Sequence, residues 1–180
     1  GIARLFDTDA DGHGELWVGD DRWATADIML VKARDYGFAD RFRLISGSEA
    51  SYLPTIERWI AAKKPVAFYC QAPHWLIHKY DLVVLKEPAN TPGCYAMWSS
   101  ALDDDWFERS VAKCRGPVPK IHVAYSARLR RDAPDVARFL SGLAFDNGTV
   151  GKWAREIHEV SRNPSVWARG EARRGMFGRM

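Results

Sequence analysis

Short apolar runs alternate along this chain with longer stretches of helical periodicity, and this alternation restricts the fold more than any other feature. The predicted strands are residues 15–19, 42–45, 66–69, 82–85 and 121–125. The predicted helices are residues 25–36, 48–63, 73–80, 106–113, 134–140, 149–160 and a short last one from Pro164. Strands that alternate with helices indicate βαβ units, so we predict an α/β fold with a mostly parallel sheet flanked by helices.

The strongest punctuation in the chain is the segment Gly116-Pro117-Val118-Pro119, because Gly and Pro interrupt regular structure. We therefore predict a crossover between two structural units there, with residues 1–118 before it and residues 119–180 after it. The last residues, from about 169, contain four Arg and three Gly and predict a basic, flexible tail.

Charge and hydropathy exclude several classes of protein. The net charge is only +3, from 26 Lys+Arg against 23 Asp+Glu, and acidic residues are interspersed among the arginines, so no nucleic-acid partner is expected. No apolar run approaches the roughly 20 residues that a membrane span requires. We expect no signal peptide within this chain, because no charged and then apolar leader precedes the first motif.

The segment before the first strand carries alternating carboxylates, Asp7, Asp9 and Asp11, followed by Gly12. This pattern matches the first half of an EF-hand calcium loop. The match fails at position twelve, which is Val18 instead of Glu, whereas Glu15 stands at position nine. Two interpretations stay open: a turn held by side-chain to backbone hydrogen bonds, or a calcium site. No other metal or cofactor is expected.

Trp23 stands where the first strand has ended and the following helix begins, which is where ligands lie in open α/β sheets. The backbone N–H groups at the start of that helix, on Ala24 and Thr25, are available to an anion. The ring of Trp23 offers a face to a cation. One short turn is thus suited to both ends of a zwitterion, although Trp23 serves equally well as a cover for the sheet end.

Gln71, His74 and Trp75 follow the apolar strand at residues 66–69, so we expect them to face the same crevice. An alternative pairs Cys70 as a nucleophile with His74. No third orienting group is evident, and the three cysteines show no C-x-x-C spacing. We therefore predict a binding protein and not an enzyme.

Several segments together resemble the substrate-binding proteins of ABC importers for glycine betaine, proline betaine, choline and related amines such as trimethylamine N-oxide. These segments are LFDTDADG at residues 5–12, Trp23, KPVAFYCQAPHW at 64–75, KYDLV at 79–83, LKEP at 85–88, APDVARFL at 133–140 and Asp146-Asn147. The resemblance covers nearly the whole chain in the family's order.

The resemblance implies a periplasmic-binding-protein-like fold of type II, in which two α/β lobes close on the ligand. Residues 1–118 would form a ligand-binding lobe, and residues 119–180 would return to part of a second lobe. The family's binding proteins are longer, and this chain corresponds to their second part. A truncated chain of this kind is open to self-association.

The resemblance also implies site residues. Trp23 looks like a ring of the aromatic cage, and the N–H groups of Ala24 and Thr25 look like the anion clip. Gln71 stands where the family has a second cage aromatic, and Glu49 stands near an acidic site residue of trimethylamine N-oxide binders. The further ligand contacts implied are His74 and Trp75. Some members carry a disulfide around the Trp23 turn, whereas this chain has no Cys between residues 1 and 69.

The implied function is that of the extracytoplasmic solute-binding component of an ABC importer, in the periplasm or on the outer face of the cytoplasmic membrane. It would capture a quaternary or methylated amine for osmoprotection or nutrient uptake and deliver it to a permease with its ATPase. The alternative is a truncated α/β domain that binds no small ligand and serves a structural or regulatory role.

Overall fold

The computed structural model describes residues 1–118 and 122–161, which form two compact units. The first unit contains Gly1–Tyr69 and Leu85–Pro117. The second contains Cys70–Val84 and Val118–Met180, of which residues 119–121 and 162–180 lie outside the described part. The chain therefore leaves the first unit after Tyr69, returns to it at Leu85 and leaves it again after Pro117. The role of each unit in ligand binding stays a prediction.

A parallel three-stranded sheet is the centre of the first unit. Its strands are β1 (Gly14–Gly19), β2 (Phe42–Ser46) and β3 (Ala67–Phe68), in the order β2-β1-β3. β1 is buried along most of its length because it pairs with a strand on each side. The predicted α/β fold with a parallel sheet flanked by helices is confirmed.

Two helices cross over between these strands: α1 (Ala24–Asp35) and α2 (Glu49–Ala61). α1 ends at Asp35, and Gly37, two residues later, has a φ of +68°, the left-handed conformation typical of a helix stop. The Ser48 hydroxyl caps α2 by accepting a hydrogen bond from the backbone N–H of Ser51 at 3.2 Å. α2 continues through Pro54 and buries Ile56 fully, so packing outweighs the backbone hydrogen bond that proline removes.

A disulfide-linked hairpin completes the first unit, and it corrects the predicted helix at residues 106–113. The helix is only α4 (Trp106–Arg109); the following residues form β5 (Val111–Ala112), antiparallel to β4 (Tyr95–Ala96). Cys94 and Cys114 form a disulfide beside these strands. Two-residue strands are too short to show the alternation by which a strand is recognised in a sequence.

The hairpin is anchored to the last turn of α1 by two charged residues. Asp35 accepts a hydrogen bond from the backbone N–H of Ala112 at 2.7 Å. Arg34 donates to the carbonyl oxygens of Phe107 and Ser110 at 2.5 and 2.6 Å. These bonds give partners to the N–H of Ala112 in β5 and to two carbonyls at the carboxyl end of α4.

Helices make up the regular structure of the described part of the second unit. They are α3 (Trp75–Lys79), α5 (Leu129–Asp132), α6 (Pro134–Ser141) and α7 (Asn147–Ser161). α3 packs on α7, where the Trp75 ring stacks on His158 with centroids 3.6 Å apart. A Cβ at Gly151 of α7 would lie 2.2 Å from His78 Nε2, so the absence of a side chain there permits this close approach.

Three other predicted elements differ from the structure. Residues 82–85 form no strand, and Val83 and Val84 are exposed; residues 122–125 form no strand either, while Ile121 lies outside the described residues. An apolar run becomes a strand only where a neighbouring strand offers backbone partners. Pro73 does not start α3: it follows a cis peptide bond, and His74 is the N-cap. The predicted helix from Pro164 and the tail from 169 lie outside the described residues.

Candidate functional site

The turn between β1 and α1 is held by Asp20, a nearly fully buried carboxylate. Arg22 donates to both of its oxygens at 2.7 Å, and the backbone N–H of Arg22 donates to Oδ1 at 3.0 Å. These hydrogen bonds hold the pKa of Asp20 well below its usual range, so the carboxylate stays ionised. Because the Asp20 carbonyl also accepts from the Trp23 N–H at 2.9 Å, the position of Trp23 is fixed from the end of the strand.

Trp23 is the solvent-facing end of an aromatic stack that starts in the core. Its ring meets the buried Trp17 edge-on, with centroids 6.4 Å apart, and Trp17 stacks on Tyr52 at 5.4 Å. The indole N–H of Trp17 donates to the Gly47 carbonyl at 3.2 Å, which locks this ring. Trp23 itself is 39% exposed. A rigid ring therefore supports a partly exposed one that is available to a ligand.

The start of α1, directly after Trp23, offers unsatisfied donors. The N–H groups of Ala24 and Thr25 occupy the first helical positions, which have no acceptor within the helix. The hydroxyl oxygen of Thr25 is buried and has no hydrogen-bond partner among the described residues. Because the helix dipole also places positive potential here, an anion is the favoured occupant.

Glu49 lies at the same edge of the sheet, as the first residue of α2 directly after β2. The parallel register pairs Gly19 with Ser46, and the N–H of Gly47 donates to the Gly19 carbonyl at 2.9 Å. The carboxyl ends of β1 and β2 are thus side by side. The structure brings Trp23, Ala24, Thr25 and the start of α2 with Glu49 to one edge of the first unit.

Gln71, His74 and Trp75 belong to the second unit. His74 Nδ1 accepts from the backbone N–H of Leu76 at 3.2 Å and so caps α3. Trp75 is only 9% exposed and stacks on His158, which gives its ring a packing role within this unit. The expected common pocket of these three residues with Trp23 stays a prediction.

Sequence reasoning missed Asp20, Tyr52 and the Thr25 hydroxyl as parts of the candidate site. Asp20 and Arg22 stand two residues apart after a strand, a spacing that does suggest a local ion pair. Tyr52 gave no signal, because only the packing of α2 on the sheet brings it against Trp17. Burial and the nearby charge of Glu15 raise the pKa of Tyr52, so its hydroxyl stays neutral.

The alternating carboxylates before β1 also converge. One ligand oxygen from each of Asp7, Asp9, Asp11 and Glu15 lies within 4.8 Å of the others, so these residues are able to surround a cation. This cluster is at the amino end of β1, whereas Trp23 follows its carboxyl end.

A parallel sheet whose carboxyl edge carries a helix start and an exposed ring is the arrangement of a small-ligand-binding α/β protein. The family model OpuAC, the substrate-binding domain of the ABC-type glycine betaine transport system, matches residues 2–170, and the chain belongs to this family. The predicted resemblance is therefore confirmed, as is the type II periplasmic-binding-protein-like lobe. The comparison with curated proteins finds no match.

Proteins of this family bind substrates for ABC-type transport, do not catalyse a reaction and act outside the cytoplasm. The disulfide between Cys94 and Cys114 agrees with this location, because disulfides persist in oxidising compartments. Among the described residues, no helix combines the length and the apolar character that crossing a membrane demands.

Proposed function

We propose that this chain captures a quaternary or methylated amine of the glycine betaine, choline or trimethylamine N-oxide class and presents it to an ABC importer. The observation that carries the proposal is the exposed Trp23 ring directly before the unsatisfied donors of α1. The proposed role is osmoprotection or nutrient uptake in the periplasm or at the outer face of the cytoplasmic membrane.

The cationic end of the ligand lies on the ring of Trp23. A quaternary ammonium has no hydrogen to donate, so an aromatic face is a suitable partner, with a contact free energy of about 0.5–2 kcal/mol. Trp17 supports the Trp23 ring at its edge and holds it before the ligand arrives. Such preorganisation reduces the entropy lost on binding. Glu49 adds a negative charge at the same sheet edge.

The anionic end lies at the start of α1. The N–H groups of Ala24 and Thr25 and the Thr25 hydroxyl donate to a carboxylate or an N-oxide oxygen. Choline carries a neutral hydroxyl in this place and gains less from the helix dipole. Gln71, His74 and Trp75 are proposed as further ligand contacts, and lobe closure on the ligand is proposed as the signal that the permease and its ATPase recognise.

Titration calorimetry of the full chain with glycine betaine, choline and trimethylamine N-oxide tests the proposal. We expect Trp23→Ala to weaken binding by about 10- to 100-fold, which is about 1.4 kcal/mol per tenfold. The matched control is Trp98→Ala, because Trp98 is similarly exposed, at 46%. Its ring contacts the Arg109 guanidinium, whereas Trp23 stands at the start of α1. This control should bind as the unaltered protein does.

Two results contradict the proposal. If no amine releases heat and the tryptophan fluorescence does not change, the chain is an α/β domain without small-ligand binding. If Trp23→Ala and Trp98→Ala bind equally well, Trp23 is packing and not part of a cage.

A further inference from the structure

The loop between the short 3₁₀ helix at Ile2–Leu5 and β1 is tightly wound around its own carboxylates. Both oxygens of Asp7 accept backbone hydrogen bonds, from Ala10 at 2.7 Å and from Gly12 at 2.9 Å. Gly12, with a φ of +93°, supplies the sharp reversal that alternating carboxylates need in order to face one point. These bonds shape the loop but do not by themselves indicate a ligand.

Glu15 gives the independent indication. This residue is only 5% exposed, and its Oε2 accepts from the backbone N–H of Thr8 at 2.7 Å. Its Oε1 is buried and has no hydrogen-bond partner in the described part of the chain. Burying a carboxylate oxygen without a partner is costly, whereas a bound cation would satisfy it. The same buried carboxylate contributes one oxygen to the cluster formed with the three aspartates.

The size of the cluster fits an ion with oxygen ligands. The four ligand oxygens lie within 4.8 Å of one another. Ligands at about 2.3–2.6 Å from a shared calcium ion are at most about 5 Å apart when they stand on opposite sides of it. The four carboxylates therefore reach one ion with little rearrangement.

The charges in the cluster are only partly compensated. Arg43 of β2 pairs with Asp9 at 3.3 Å and with Asp11, in both cases through the Oδ2 oxygen. The ring of His13 lies 3.4 Å from Asp11 Oδ1. Among the described residues, one guanidinium pairs with a cluster of four carboxylates, and the excess of negative charge would be offset by a divalent cation.

We propose that Asp7, Asp9, Asp11 and Glu15 bind a calcium ion. Carboxylate oxygens on an irregular loop suit Ca²⁺, because Mg²⁺ demands near-ideal octahedral geometry and Zn²⁺ prefers nitrogen and sulfur ligands. The ion joins the loop to the buried start of β1 and stabilises the fold. The proposed amine contacts lie beyond the opposite end of β1. Calcium binding and amine binding therefore involve different residues and are measured in separate titrations.

Calorimetry and thermal unfolding test this site on the full chain, freed of metal with EGTA and titrated with CaCl₂ at constant ionic strength. We expect one Ca²⁺ per chain and a melting temperature that rises by about 4 °C or more at saturation. Mg²⁺ at the same concentration should give a clearly smaller shift. The absence of heat with Ca²⁺, or an equal shift with Mg²⁺, would overturn the proposal.

Glu15→Gln keeps the shape of the side chain and removes its charge, so it should weaken Ca²⁺ binding at least about tenfold and abolish the thermal shift. Asp9→Asn, at a half-exposed side chain, gives the same test should Glu15→Gln fail to fold. The control is Asp40→Asn, which removes an exposed carboxylate outside the cluster and should respond to Ca²⁺ normally. Unweakened Ca²⁺ binding in Asp9→Asn or in a folded Glu15→Gln variant would show that the cluster is not the site.

Discussion

Gly19 and Trp23 are in such close contact that a Cβ at Gly19 would lie 2.9 Å from Cε3 of the indole ring. Gly19 also has a φ of +102°, a conformation that residues with a side chain rarely adopt. The last residue of β1 thus has two reasons to be glycine. It turns the chain toward α1, and it leaves space for the Trp23 ring, which we propose contacts the ligand.

We predict that Gly19→Ala displaces the Trp23 ring. The unfolding free energy should fall by about 1–2 kcal/mol, because alanine is strained at this φ, and the affinity for glycine betaine should fall at least about tenfold. Gly37→Ala is the control, because Gly37 also has a positive φ but nothing lies near its Cβ position. Gly37→Ala should lower the unfolding free energy and leave the affinity for glycine betaine unchanged. Equal amine affinities of the two variants in calorimetry would contradict the proposed role of the ring.

Thr25→Val removes a buried hydroxyl that has no partner among the described residues. The free protein should therefore be as stable as the unaltered chain, or slightly more stable. Affinity for glycine betaine and trimethylamine N-oxide should fall about 3- to 10-fold, since a ligand oxygen loses one donor. Choline, which has no anionic group, serves as the comparison ligand. If all three ligands lose affinity equally, the hydroxyl is not part of an anion clip.

The disulfide between Cys94 and Cys114, 20 residues apart, should contribute about 3 kcal/mol to the unfolding free energy by restricting the unfolded chain. Urea unfolding with and without dithiothreitol measures this contribution. The double variant Cys94→Ser, Cys114→Ser should be as unstable as the unaltered protein is in dithiothreitol, and adding the reductant should not change its stability further. Cys70→Ser should lose as much unfolding free energy on adding dithiothreitol as the unaltered protein does. A midpoint that dithiothreitol leaves unchanged in the unaltered protein would speak against the disulfide.

Tyr36 should make the protein less stable at high pH. Burial and a hydrogen bond to Glu87, 3.0 Å long, raise the pKa of Tyr36 to about 12 from an ordinary value near 10. The folded state then holds the phenolic proton more tightly than the unfolded state does. The stability that this preference provides is complete below pH 10 and is lost as the pH rises to about 12.

Tyr36→Phe should therefore show a flatter decline of the unfolding free energy between pH 10 and 12, measured by urea unfolding at several pH values. At pH 8 it should be destabilised by about 1 kcal/mol through the lost hydrogen bond. Tyr125 is the control, because its pKa is lowered by hydrogen bonds with Ser141 and Arg130. Phenylalanine there should not flatten the profile. A decline as steep in Tyr36→Phe as in the unaltered chain would contradict the prediction.

Local patterns were sufficient to predict much of the fold. The alternation of apolar runs and helical stretches predicted β1, α1, β2 and α2, because each element carries its own periodicity and its own start and stop signals. Trp23 was assigned to the sheet edge by its position after a strand alone. For the same reason the helices around residues 134–141 and 147–161 were found close to their observed bounds.

The sequence by itself determined the α/β class and the family, because both depend on the order of patterns along the chain. It also determined the position of one ring at one strand end, because that position depends on neighbouring residues. Only the tertiary structure decided which residues support them. It paired Cys94 with Cys114, stacked Tyr52 on Trp17 and buried the side chain of Glu15 in a cluster with three aspartates. It also left residues 82–85 outside any sheet. The disulfide and the ring stack depend on contacts between segments far apart in the chain, and no local pattern records which distant partner supplies them.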